Sequence, residues 1–133
     1  MFRQWTRLTT LVAGVALFCS LGSAGEKKLM HCFAFTPVDT ATDADWADFY
    51  KATDELPSKI DGLNKVWMGK LRRPLTIYSK TGEAKERKNG VCMEMNDEAA
   101  LETYADHVAH REWEKAYFKV RQRGTNTYDI LGQ

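Results

Sequence analysis

Behind an uncharged apolar run near the N-terminus, hydrophobic positions recur along the chain with two periods, near 2 for strands and near 3.6 for helices. Leu29–Phe35 (LMHCFAF) is a short apolar, aromatic-rich run closed by Pro37, and reads as a first strand. Thr42 is placed to cap a helix, with Asp43 and Asp45 at its positive end. Trp46, Phe49, Tyr50 and Leu56 continue that helix on one face, and Pro57 is expected to stop it. A turn at Ile60, Gly62 and Leu63 leads into a second strand over residues 65–71 (KVWMGKL). Residues 72–89 are polar and charged, and read as a solvated loop or a protruding hairpin in which Leu75, Ile77 and Tyr78 form a strand-like piece.

Residues 90–95 (GVCMEM) alternate as a third strand. Asn96 or Asp97 caps a helix carrying Ala100, Leu101, Tyr104, Ala105 and Val108, and a further helical stretch carries Trp113, Ala116, Tyr117 and Val120. Gly124 breaks it, and residues 127–131 (TYDIL) form a fourth strand. The order strand, helix, strand, strand, helix, strand predicts an α+β ferredoxin-like βαββαβ sandwich, an antiparallel-dominated sheet with helices on one face. The other face is left bare. In the first strand it holds either Met30, Cys32 and Ala34 or Leu29, His31, Phe33 and Phe35, and both sets are too apolar to stay wet. A second copy packed sheet to sheet would cover it, giving a homodimeric α/β barrel with a cavity between the sheets.

The apolar run at residues 8–21 changes the picture of where this domain works. Arg3 and Arg7 precede it and Gly22-Ser23-Ala24 follows, which is the pattern of a signal peptide over residues 1–24 cleaved before a domain of residues 25–133. At about 14 residues the run is short for a membrane span, so no stable anchoring is expected after cleavage and the product is expected in the periplasm or outside the cell. Removing Arg3 and Arg7 leaves 17 basic against 18 acidic residues, a balance that gives nucleic acid no electrostatic footing.

Cleavage also removes Cys19 and leaves Cys32 and Cys92, which in an oxidising compartment invite a disulfide. Strand phase predicts otherwise. Val91, Met93 and Met95 are the more apolar set of the third strand and should face the helices, leaving Cys92 and Glu94 on the open side. With His31, Phe33 and Phe35 lining the cavity between sheets, Cys32 points the opposite way, and the two sulfurs are expected to remain unpaired.

Four landmarks, in order, carry a resemblance: His31 in the first strand, Leu-Pro-x-x-Ile-x-Gly at residues 56–62, the Trp67/Gly69 pair in the second strand, and Ala-Leu-Glu-Thr-Tyr-Ala-Asp-His-Val-Ala-His at residues 100–110. The chain resembles the stress-responsive A/B barrel (Dabb) family of the dimeric α/β-barrel superfamily, whose pattern in the last segment is Ala-Leu-x-x-Tyr-x-x-His-Pro-x-His. It departs from that pattern at Val108, where the family has Pro, and in its longer stretch between strands two and three. The resemblance implies a dimeric barrel. It also implies, from a plant member that closes an aromatic ring by aldol condensation, an acid/base pair at Tyr104 and His110 with His31 lining the same cavity. Related barrels include cofactor-free oxygenases and haem-binding enzymes, so the fold alone fixes no activity.

Two readings of function result. In the first, an exported barrel, stress-related through the resemblance, binds a small apolar molecule between its sheets through His31, Phe33, Phe35, Trp67 and His107. In the second, the protein is a cofactor-independent lyase, cyclase or oxygenase in which His110 is the general base and Tyr104 the donor to a carbonyl. The two sit at i and i+6, roughly 120° apart on a straight helix, so they converge only where the helix ends or bends between them. A metal at His107 and His110, with His31 or Glu94 as third ligand, has no motif spacing behind it, and neither metal nor cofactor is expected.

Overall fold

A computed structural model of the chain describes residues 27–132; the expected signal peptide, with Cys19, lies outside them. The elements run β1 (Leu29–Phe35), α1 (Asp43–Lys59), β2 (Leu63–Tyr78), β3 (Ala84–Met95), α2 (Glu98–Asp106), α3 (Val108–Val120) and β4 (Asn126–Leu131). The four strands form one antiparallel sheet in the order β2-β3-β1-β4, with the helices on one face. This is the ferredoxin-like βαββαβ sandwich. Its second helical region is split in two.

Helix α1 begins in a capping box: the Thr42 hydroxyl accepts from the Asp45 N–H while the Asp45 carboxylate accepts from the Thr42 N–H. It presents Phe49, Thr53 and Leu56 to the core. Pro57 does not stop it. The helix runs to Lys59 with Pro57 in its last turn, where the missing N–H costs one bond and Ile60 still donates to the Leu56 carbonyl at 3.1 Å. Gly62 then turns the chain at φ +84°, and a Cβ built there would stand 2.6 Å from the Ala100 Cβ. Gly62→Ala should therefore destabilise by about 2–3 kcal/mol, through overpacking and left-handed strain together. Adding Ala100→Gly should recover part of the loss in a denaturation series; full additivity of the two changes would show that the contact is not the cause.

Of the two readings of residues 72–89, the hairpin is the one observed. Strands β2 and β3 continue past the sheet to a turn at Ser79–Glu83, where Gly82 adopts φ +84°. The register shifts between Lys70 and Leu75, in the stretch containing Pro74, which has no N–H for the ladder.

The phase of β1 is the reverse of the expected one. Phe33 and Phe35 face the helices: Phe33 meets Trp113 edge-on at 5.7 Å between ring centroids, and Phe35 meets Phe49 at 6.0 Å and Tyr117 at 5.1 Å. The open face carries Met30, Cys32 and Ala34. The expectation for β3 holds, with Val91, Met93 and Met95 buried in the core. Because directly paired residues share a face, the register then puts Cys32 opposite Cys92, and a disulfide joins them. Their expected separation is thus corrected. The physical reason is space: the gap between a sheet and its helices takes the two large phenyl rings, whereas the open face seats the smaller Cys32 and Ala34 beside Tyr128 and Leu71. Apolarity alone could not choose, since both faces of β1 are apolar.

Candidate functional site

The helix break that lets Tyr104 and His110 meet comes from His107, with no proline involved. Its backbone is extended (φ −72°, ψ 141°), its N–H ends α2 on the Tyr104 carbonyl, and its Nδ1 accepts the Ala109 N–H at 3.0 Å to start α3. Helix α3 consequently sets off on a new axis, and His110 lies over Tyr104 with ring centroids 4.2 Å apart. The His110 Nδ1–H donates to the Ala105 carbonyl at 3.2 Å, so its Nε2 is the basic atom, 4.0 Å from the Glu114 carboxylate.

His31 joins from the sheet. Its ring lies 5.6 Å from that of Tyr104, and its Nδ1–H donates to the Asp129 carboxylate at 2.6 Å across the β1–β4 pairing. That bond fixes the tautomer and leaves Nε2 for a ligand. Tyr104 is 3% exposed. Burial pushes its phenol well above the ordinary value, with the Glu114 charge and Tyr117 adding to the effect, so it stays protonated and serves as a donor.

His110, Trp113 and Tyr117 stack along α3, with centroid separations of 5.6 and 4.9 Å. Trp113 is locked by donating Nε1–H to the Thr53 hydroxyl at 2.9 Å. The Tyr117 hydroxyl is bonded to that of Thr125 at 2.7 Å; burial pushes it up to about 12 against the opposing effects of Thr125, Arg121 and Arg87. These groups wall a cavity of about 340 Å³ between α2, α3 and the β1/β4 side of the sheet. Its mouth includes Ala105, Phe118 and Arg121.

His31, Tyr104, His110 and Phe33 are thus brought together, but beneath the helices of one chain, not on the face between sheets expected from strand phase. The other expected ligand contacts lie elsewhere. Phe35 is sealed in the core, His107 is spent on the helix junction, and Trp67 stands 63% exposed on the opposite sheet face with the Lys65 ammonium 4.8 Å over its ring. Asp129, Trp113 and Arg121 were not singled out in the sequence. Asp129 needs the β1–β4 register, which no local pattern displays. Trp113 was visible as a helix-face aromatic without a partner to name. Among the described residues no group of three or more His, Cys, Asp or Glu is placed to hold a metal ion.

No protein-family model matches the chain, and no curated protein matches it. Solved structures do. A Dabb family protein with a ferredoxin-like fold from Mesorhizobium loti is similar at 17% identity and a TM-score of 0.58, over 81% of this chain and 99% of that one. A dimeric protein of unknown function with a ferredoxin-like fold from Bacteroides fragilis is similar at 19% identity and 0.58, over 78% and 95%. The hydroxynitrile lyase of Passiflora edulis is similar at 9% identity and 0.63, over 82% and 95%. The chain is Dabb-like in fold.

Proposed function

We propose that this is an exported homodimeric barrel protein that binds a small, largely apolar molecule in the cavity under α2 and α3. The observation that carries the reading is the cavity itself: aromatic walls at Phe33, Tyr104, Trp113 and Tyr117, with a few polar groups at defined places, is the usual form of a small-molecule site. Export is supported by the leader pattern at residues 1–24 and by the Cys32–Cys92 bond, which suits an oxidising compartment. Titration with the neutral aromatic 2-naphthamide should quench the tryptophan fluorescence in a saturable way, through the cavity-lining Trp113. Ala105→Trp, filling the mouth, should weaken that binding at least about tenfold with the fold intact. Equal binding by both proteins would place the ligand elsewhere.

The homodimer rests on the open sheet face, where Trp67, Tyr128 and Ile130 are exposed around the disulfide, and on the dimeric state of the Bacteroides structure. Light scattering should give twice the chain mass, and Ile130→Glu should give one chain mass. A monomeric wild type at micromolar concentration would refute the dimer.

A second reading, a cofactor-independent lyase, cyclase or oxygenase, is favoured by one specific arrangement. Protonated Tyr104 lies against His110, whose Nε2 is basic, and His31 is backed by Asp129. The hydroxynitrile lyase of similar fold makes hydroxynitrile turnover the first assay. His110→Ala and Tyr104→Phe should then abolish turnover while 2-naphthamide still binds.

A further inference from the structure

The polar groups of the cavity are divided between its ends. His110 and Glu114 lie toward the start of α3, while Arg121 follows its last turn, about 16 Å beyond His110 and about 10 Å beyond Glu114 at 1.5 Å per residue. The Arg121 guanidinium lies 4.5 Å from the ring centroid of Phe118 and 5.1 Å from that of Tyr117. Among the described residues its only hydrogen-bond acceptor is the Gln122 carbonyl at 3.3 Å, and its buried Nε has no partner. A buried donor left empty is uncommon in a folded protein and calls for an explanation.

Arg87 reinforces the same end. It is 7% exposed and reaches only neutral acceptors, Asn126 at 2.7 Å and the Thr36 hydroxyl at 3.0 Å. Its guanidinium lies against Gly124, whose missing Cβ makes room for it, beside the cavity-lining Thr125. Neither guanidinium pairs with a carboxylate among the described residues. Two cations held without a counter-charge, one largely and one partly desolvated, lower the cost of bringing an anion into that end of the cavity.

Building on the cavity reading above, we infer that the ligand is an aromatic or apolar acid: its body lies against Trp113 and Tyr104, and its carboxylate takes the Arg121 guanidinium, with Arg87 adding positive field from behind. A planar guanidinium suits a carboxylate better than an ammonium would, because its donors match the two oxygens.

The test compares 2-naphthoate with 2-naphthamide, alike in shape and different in charge, by calorimetric titration of the whole protein at low salt. Naphthoate should bind at least about tenfold more tightly to the wild type. Arg121→Gln should bring the two affinities, measured in the same variant, within about twofold of each other, and Arg121→Lys should keep part of the preference. Thermal melts of both variants report on the fold. Equal affinities in the wild type, or a preference that survives Arg121→Gln, would overturn the inference; if Ala105→Trp still blocked both ligands, the cavity reading would stand. Binding of neither ligand to the wild type would remove the cavity reading, and the inference with it.

Discussion

Replacing Cys32 and Cys92 together by Ala should lower stability by about 4 kcal/mol, because the bond closes a loop of sequence separation 60 and a loop of that length restricts the unfolded chain by about that much. For a domain of this size the melting temperature should fall by roughly 15–20 °C. The effect belongs mainly to the unfolded state, since β1 and β3 are already held together by their ladder over Leu29–Phe35. Reductant should reproduce it in the wild type and do nothing to the double variant. Two free thiols in denatured, unreduced protein, or a melt indifferent to reductant, would remove the bond and the expectation together. Because the bond lies on the open sheet face beside Trp67 and Tyr128, the variant should also be checked for mass, so that loss of the dimer is not taken for loss of the fold.

The elements of this fold were legible because each is punctuated locally. Thr42 and Asp45 start α1, Asp97 starts α2 through its bond to the Ala100 N–H, and apolar alternation marks β3. What was not legible is whatever depends on two segments at once. Strand β1 is apolar on both faces, so its phase came only from packing against the aromatic side of α1 and α3, and the disulfide followed from that phase. The helix junction was hidden for a different reason. His107 breaks the helix by accepting a backbone N–H, a role usually given to Ser, Thr, Asp or Asn, and its effect on the aim of His110 is invisible in a pattern that looks for proline.

The site shows the same division. Tyr104, His107 and His110 lie in one short segment and were found together, although only two of them line the cavity. Asp129 is 98 residues from His31 and Arg87 is 39 from Asn126, and such pairs exist only once the register is set. Catalytic or binding groups assembled across a sheet are therefore harder to read from one sequence than those carried on one helix.

Phe35 is where the two phases of β1 differ most in consequence. In a cavity between sheets, shortening it would change binding and leave the fold sound. In the core, where it is 1% exposed among Trp46, Phe49 and Tyr117, Phe35→Ala should cost about 3–5 kcal/mol through lost burial and the void left behind. Phe35→Leu keeps more of the volume and should cost about 1–1.5 kcal/mol. Because Phe35 does not line the cavity, the Leu variant should bind 2-naphthamide within about twofold of the wild type, whereas Phe33→Leu, which alters a lining wall, should weaken it severalfold. Chemical denaturation and the fluorescence titration together decide the matter. A Phe35→Leu protein of undiminished stability that no longer binds would return Phe35 to the ligand site and reverse the strand phase on which the whole arrangement of His31, Asp129 and the cavity depends.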